Sequence, residues 1–204
     1  MIRMQISAKD VKELRKKTGA GMMACKQALQ ASNGNIDIAV KDLQRKGTII
    51  ANRKANRLTV QGLIESYIHL GAKIGVLVEL NCETDFVARR LEFQVLAKNL
   101  AMQIAASPGI RYIDKTDIPE EVFNNERKAE VERHDRVNKP ETIKQQVVNG
   151  KIAKKLSELT LLAQPFIKNS EITIDDLIKK HISLLGENIK VRRFVRFALG
   201  DITS

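Results

Sequence analysis

The sequence predicts an α+β fold, and three patterns carry that prediction. Apolar residues recur at helical spacing three times within the first 47 residues. Between Gly62 and Asn81 the spacing changes to a period of two, as strands require. From Asp117 onward, long charged segments return to helical spacing before the chain closes on a second alternating stretch. The expected organisation is a three-helix N-terminal domain over 1–47, a basic linker over 48–57, and a core over 58–204. That core combines small antiparallel sheets with helices and carries a helical hairpin projection over about 117–162.

The first helix starts at Ser7-Ala8-Lys9-Asp10, where the Ser oxygen can accept an orphan backbone N–H and the acid favours the positive helix end. Val11 and Leu14 share one face, and Thr18-Gly19-Ala20-Gly21 stops the helix. The second places Met22, Cys25, Ala28 and Leu29 on one stripe and ends at Asn33-Gly34. The third carries Ile36, Ala39, Val40 and Leu43 and is expected to stop at Gly47. Thr48 to Arg57, with Arg53, Lys54 and Arg57, lacks clean periodicity and is predicted as linker.

Gly62 to Ile68 is rich in strand formers, Gly71-Ala72-Lys73 is a turn, and Ile74, Val76, Val78 and Leu80 alternate with their neighbours. Together they predict a β-hairpin. A helix with Phe93, Leu96, Ala97, Leu100 and Ile104 follows and ends at Ser107-Pro108-Gly109. Asp117-Ile118-Pro119 is expected to cap the next helix, with Glu120 and Glu121 in its first turn. Asn138-Lys139-Pro140 breaks the pattern, Ile143 and Val147 resume it, and Gly150 is a candidate break or kink before Ile152, Leu156 and Leu159. Gln164 to Ile167 is a short edge-strand candidate because Pro165 lacks a donor. Thr173-Ile174-Asp175-Asp176 starts a helix with Leu177, Ile178, Ile182 and Leu185, stopped by Gly186. The last element places Ile189, Val191, Val195, Phe197 and Leu199 on one face and Lys190, Arg192 and Arg196 on the other.

Composition narrows the function. Hydrophobic residues make up 43% of the 204, but aromatics only 4% with no Trp, so the core must be aliphatic. The formal net charge of +11 favours acidic partners without choosing among them. Cys25 and Cys82 lie in different segments and in no CxxC pair, which fits a reducing compartment. No stretch is long and apolar enough for a membrane span, and Met1 to Ile6 is too short for a signal or transit peptide. No phosphate loop, HExxH, GxSxG or GxGxxG appears. His69, His134 and His181 lie far apart without ligand spacing, so solvated or structural roles are expected for them.

Two stretches carry more information: Val11 to Leu29, centred on Thr18-Gly19-Ala20-Gly21-Met22-Met23, and Val78-Glu79-Leu80-Asn81-Cys82-Glu83-Thr84-Asp85-Phe86-Val87-Ala88. With the ending Gly186-Glu187-Asn188-Ile189-Lys190-Val191-Arg192-Arg193-Phe194, they resemble the signature segments of elongation factor Ts, in order along nearly the whole chain. Ala24 stands where many members carry an acidic residue. The resemblance implies a ubiquitin-associated-like N-terminal bundle, an α+β core with a helical projection, and a short form of the family. It implies release of GDP from elongation factor Tu, an exchange activity without covalent chemistry. No cofactor and no membrane are expected, and the activity requires no direct nucleic-acid binding. The setting is a bacterial cytoplasm or an organelle stroma such as a chloroplast. Short forms can work as dimers, which leaves a homodimer open.

By the same resemblance, Thr84, Asp85, Phe86 and Val87 enter the nucleotide domain of the partner near its Mg²⁺, with Phe86 as an apolar wedge and Asp85 acting near the metal's ligands. Arg15, Met22 and Met23, flanking the first turn, dock on a helix of that domain, and Met suits an adaptable contact. The alternatives are structural: Phe86 as a local core aromatic, Asp85 as a helix N-cap, Met22 as core, and Arg15 as a solvated charge. Two other functions compete, a basic RNA- or ribosome-associated protein and an adaptor that uses only the first bundle.

Overall fold

The computed structural model describes residues 6–135 and 141–201 of the 204. Of the stretch Met1 to Ile6, expected to be too short for a signal or transit peptide, all but Ile6 lies outside these residues, as does the break expected at Asn138-Lys139-Pro140; of His134 only the backbone is described. The chain forms two compact units. The first gathers Met1–Glu65, Val78–Asn99 and Asp176–Arg192; the second gathers Ser66–Leu77, Leu100–Asp175 and Arg193–Ser204. The architecture is α+β, with eight α-helices and two small sheets among the described residues.

The first unit opens with helices α1 (Ala8–Thr18), α2 (Met22–Ala31) and α3 (Ile36–Lys54). Ser7 caps α1 through a capping box, its Oγ accepting the Asp10 N–H at 3.1 Å. Gly19 ends the helix in the left-handed conformation, its N–H reaching Arg15 O at 2.8 Å. Asn35 caps α3 by accepting the Ile38 N–H at 3.1 Å. Val11, Leu14, Cys25, Ala28, Leu29 and Ala39 form the bundle's buried centre, with Ile36, Val40 and Leu43 packed around it. Leu14 and Leu29, both fully buried, each contribute about 1.5–3 kcal/mol of transfer free energy.

The expected helix stop at Gly47 is corrected. A glycine ends a helix by turning left-handed, and Gly47 does not; it is buried, and a Cβ there would sit 3.5 Å from Ser183 Cβ. The helix therefore continues to Lys54 with Ala51 buried, and residues 48–54 are helical rather than coil.

Strands β1 (Gln61–Ile68) and β2 (Ile74–Cys82) form the expected hairpin. Gly71 at φ +87 and Ala72 at φ +53 supply the turn, and the His69 N–H donates to Ile74 O at 2.9 Å. Val76, Val78, Leu80 and Cys82 alternate into the core. A short helix α4 (Asp85–Ala88) and then α5 (Leu91–Ala106) follow. Phe93, Leu96, Ala97, Leu100 and Ile104 of α5 are all fully buried, as their spacing required.

In the second unit the expected cap at Asp117 belongs to a different turn. Lys115–Asp117 is a single 3-10 turn, in which the Asp114 N–H donates to Asp117 Oδ2 at 2.9 Å. The α-helix begins only at Glu120, as α6 (Glu120–Asp135), and packs against α7 (Glu141–Leu159). Lys155 of α7 lies 3.4 Å from Glu126 of α6. Gly150 neither breaks nor ends α7.

Strand β3 (Pro165–Phe166) pairs antiparallel with β4 (Asn169–Thr173), a strand the sequence did not suggest. The buried Gln103 ties them to α5, its Oε1 accepting the Ile167 N–H at 2.9 Å and its Nε2 donating to Pro165 O at 3.2 Å.

Helix α8 (Ile174–Leu185) precedes β5 (Ile189–Ala198), which completes a three-stranded sheet ordered β1-β2-β5. Along the expected strand β5 the apolar positions do not share one environment. Ile189 and Val191 are buried but Val195 and Phe197 are exposed, and the Arg196 side chain is only 15% exposed. The alternation of residue types along β5 therefore does not keep one face buried throughout. Among the described residues no helix is long and apolar enough to cross a membrane.

Candidate functional site

The segment Thr84–Val87 lies within the first unit, where β2 ends and α4 begins. Thr84 is the N-cap residue in an extended conformation (φ −127, ψ 157), yet its side chain makes no capping hydrogen bond. Asp85 is the first helical residue and not the cap, which corrects the structural alternative for it. Its carboxylate instead takes Arg89 Nη2 at 2.6 Å, one helical turn on. That pair is exposed on both sides and is worth a few tenths of a kcal/mol. A partner's cation or dipole can therefore replace Arg89 at little cost.

Phe86 is 78% exposed, which removes the alternative that it fills the local core. Val87 and Ala88, directly after it, are buried. The short helix thus presents an aromatic ring outward and anchors itself with the next two residues. The structure brings Asp85 and Phe86 to one exposed position and places Val87 underneath.

The junction is held from below by residues whose role the sequence did not reveal. Glu187, just after α8, accepts the backbone N–H groups of Glu83 and Thr84 on Oε2 at 3.1 and 2.9 Å, and the Thr84 hydroxyl on Oε1 at 2.7 Å. Glu83 returns the contact, its Oε1 accepting the Asn188 N–H at 2.7 Å and its Oε2 lying 3.4 Å from Arg57 Nη1. The buried Asn188 side chain donates to Ala55 O and Arg57 O at 3.2 and 2.9 Å, and Lys54 Nζ donates to Gly186 O at 2.6 Å. Gly186-Glu187-Asn188 carries the family resemblance, but no local period links it to a segment about a hundred residues earlier. Cys82 lies beneath, its Sγ donating to Thr84 O at 3.1 Å. Burial pushes its thiol up to about 11, and the negative charge of Glu187 adds to that rise. Cys82 is therefore a neutral packing group, not a nucleophile.

The second candidate surface flanks the α1–α2 turn. Thr18 Oγ1 donates to Leu14 O at 2.7 Å and accepts the Ala20 N–H at 3.3 Å, which closes the turn without help from outside the bundle. Arg15 is exposed in the last turn of α1, while Met22 and Met23 open α2 at 59% and 68% exposure. The core alternative for Met22 is thereby corrected, because the buried stripe starts one turn later, at Cys25. Two large unbranched apolar side chains left in water at a helix start suit an adaptable contact surface.

The two histidines whose side chains are described have separate local partners. His69 Nδ1 lies 3.1 Å from the Tyr67 hydroxyl, and His181 Nδ1 donates to Leu177 O at 2.7 Å, with burial pulling its pKa down. Among the described residues no group of His, Cys, Asp or Glu could hold a metal ion.

A family model described as elongation factor TS matches residues 4–201. The chain is 57% identical over 197 residues to the chloroplastic elongation factor Ts of Rhodomonas salina, covering 97% of this chain and 90% of that protein. It is 58% identical over 197 residues to the chloroplastic elongation factor Ts of Pyropia yezoensis, with the same coverage. The elongation factor Ts of Rippkaea orientalis (strain PCC 8801 / RF-1) is 55% identical over 197 residues, 97% of this chain and 79% of that protein.

Proposed function

This chain belongs to the elongation factor Ts family and acts in translation elongation; on that premise we propose that it binds elongation factor Tu carrying GDP and speeds the release of the nucleotide. One observation supports this reading above the others: an exposed aromatic, Phe86, stands beside the carboxylate of Asp85 on an anchored strand-to-helix junction. Thr84 to Val87 enters the partner's nucleotide domain near its Mg²⁺, while Arg15, Met22 and Met23 dock on a helix of the same domain.

The mechanism is displacement. Mg²⁺ demands near-ideal octahedral geometry, so small shifts of its ligands weaken it. The ion holds the phosphates of GDP, and its loss loosens the nucleotide. The antagonism between exchange factor and GDP is reciprocal, and a ~1000-fold loss of GDP affinity needs about 4 kcal/mol. Burying the exposed Phe86 ring on the partner gives about 1.5–3 kcal/mol. The ring therefore supplies roughly half, and Asp85 with the advancing backbone must supply the rest. No covalent bond is made or broken.

Stopped-flow dissociation of fluorescent GDP from elongation factor Tu tests the reading. The intact chain is expected to accelerate release, and Phe86→Ala to reduce that acceleration roughly 10- to 100-fold with the fold unchanged. An intact chain that leaves the GDP off-rate untouched would reject it. The chloroplastic and bacterial relatives favour a plastid stroma or a bacterial cytoplasm as its setting. We also infer that two copies associate through an apolar sheet face in the second unit, carried by Val195 and Phe197.

A further inference from the structure

Helix α4 has only four residues, too few to hold a direction of its own, because one turn fixes several dihedrals for a single hydrogen bond. The direction in which Phe86 points is therefore set by what grips the two ends of that turn. At its far end Val87 and Ala88 are buried. At its near end the grip is a single carboxylate. Glu187 receives three donors from the two residues before the turn: the Glu83 N–H at 3.1 Å, the Thr84 N–H at 2.9 Å and the Thr84 hydroxyl at 2.7 Å. Hydrogen bonds to an ionised acceptor are roughly twice as strong as neutral ones.

We propose that Glu187 is the positioning residue of the wedge, a carboxylate clasp that fixes the angle at which Phe86 is presented while touching neither the partner nor the nucleotide. The inference rests on the exchange reading above and deepens it. Two features separate a clasp from ordinary packing. The Thr84 hydroxyl sits at an N-cap position but is turned away from the helix amides toward Glu187, so the residue gives up capping for anchoring. The grip is also reciprocal, since Glu83 holds the Asn188 N–H at 2.7 Å and Asn188 is fastened to Ala55 O and Arg57 O. The wedge is thus referred, through two carboxylates, to the C-terminal end of α3.

Orientation matters more than contact here. A wedge free to swing still docks but spends less time in the geometry that disturbs the metal, and misplacement by about 1 Å can cost 100-fold in rate. Losing the clasp should lower the maximal rate of GDP release and leave half-saturation with the exchange factor nearly unchanged. Loss of the Phe86 ring itself should move both.

The test compares the intact chain with Glu187→Gln and Glu187→Asp. Glu187→Gln keeps the shape but loses the charge and one acceptor; Glu187→Asp keeps the charge and both acceptors on a shorter stem. Two readouts are used, GDP release from elongation factor Tu at saturating factor and backbone hydrogen exchange of the isolated protein. Glu187→Gln is expected to lower the maximal rate roughly 10- to 100-fold and to speed exchange at Glu83 and Thr84 while α1 to α3 stay protected. Glu187→Asp, which keeps the charge, should recover part of the loss and give a rate between those of Glu187→Gln and the intact chain. A Glu187→Gln protein with the intact maximal rate overturns the clasp. So does one whose whole first unit loses protection, because the residue is then merely structural. If the intact chain itself fails to release GDP, the exchange reading falls, while the exchange rates at Glu83 and Thr84 still decide whether the clasp exists.

Discussion

At Gly62 the backbone of β2 leaves no room for a side chain. A Cβ there would lie 2.2 Å from Leu80 O and 2.8 Å from Asn81 Cα, and the residue has φ +154. Both obstacles are main-chain atoms of the strand that runs directly into Glu83 and Thr84, and neither can swing aside. Gly62→Ala must therefore push the strands apart, at a cost of about 1–3 kcal/mol for overpacking. In a chain of this length that corresponds to a melting temperature lower by roughly 3–10 °C. A Gly62→Ala protein that melts with the parent would show that the close approach is not present in solution. Residue-scale physics also separates the two exposed groups of the junction. Phe86 gains by leaving water, whereas Asp85 already has a weak partner in Arg89 and gains only if it meets a stronger one.

The hairpin of α6 and α7 offers the opposite glycine. Gly150 sits inside α7, exposed, with nothing within 4 Å of where its Cβ would be and a backbone already helical. Gly150→Ala should stabilise the protein by about 0.5–1 kcal/mol through the unfolded chain alone, raising the melting temperature by roughly 1–4 °C. An unchanged or lower melting temperature, read by circular dichroism, would contradict this. The same element shows what a sequence can and cannot display. Gly150 was a candidate break because glycine is a poor helix former, but the apolar period through Ile152 and Leu156 outweighs one such residue. Gly47 misled in the same way and hid the last turns of α3. By contrast, α5 was legible residue by residue, because Phe93, Leu96, Ala97, Leu100 and Ile104 bury a full helical stripe. Strand β4 could not be seen, since Asn169-Ser170-Glu171 carries no strand period and takes its form from pairing with β3. The candidate site divides similarly. Its tetrapeptide was visible through resemblance, while the Glu187 clasp joins chain segments more than a hundred residues apart.

For the whole molecule, charge and exposed apolar surface act on different quantities. The net charge of +11 raises encounter rates with acidic partners and does little to select among them. Exposed apolar surface is more selective, because a monomer gains nothing from keeping it in water. In the second unit Val195 and Phe197, 41% and 62% exposed, project from the same side of β5. Ile68 is also exposed and lies against Gly75, whose Cβ would be 3.2 Å from its Cδ1, so it shares a face with the exposed Leu77. A standard interface covers about 800 Å² on each partner around an apolar centre, and these side chains are of the right kind to form one. If two copies meet there, sedimentation equilibrium at tens of micromolar should give twice the 22.9 kDa chain mass. Phe197→Glu should return it to one chain, because the carboxylate would have to be buried without a partner. Phe197 and Phe86 belong to different units, so Phe197→Glu should leave hydrogen exchange at Glu83 and Thr84 as it is in the parent. An intact protein that sediments as a single chain, or a Phe197→Glu variant that still sediments as two, would place the association elsewhere or remove it.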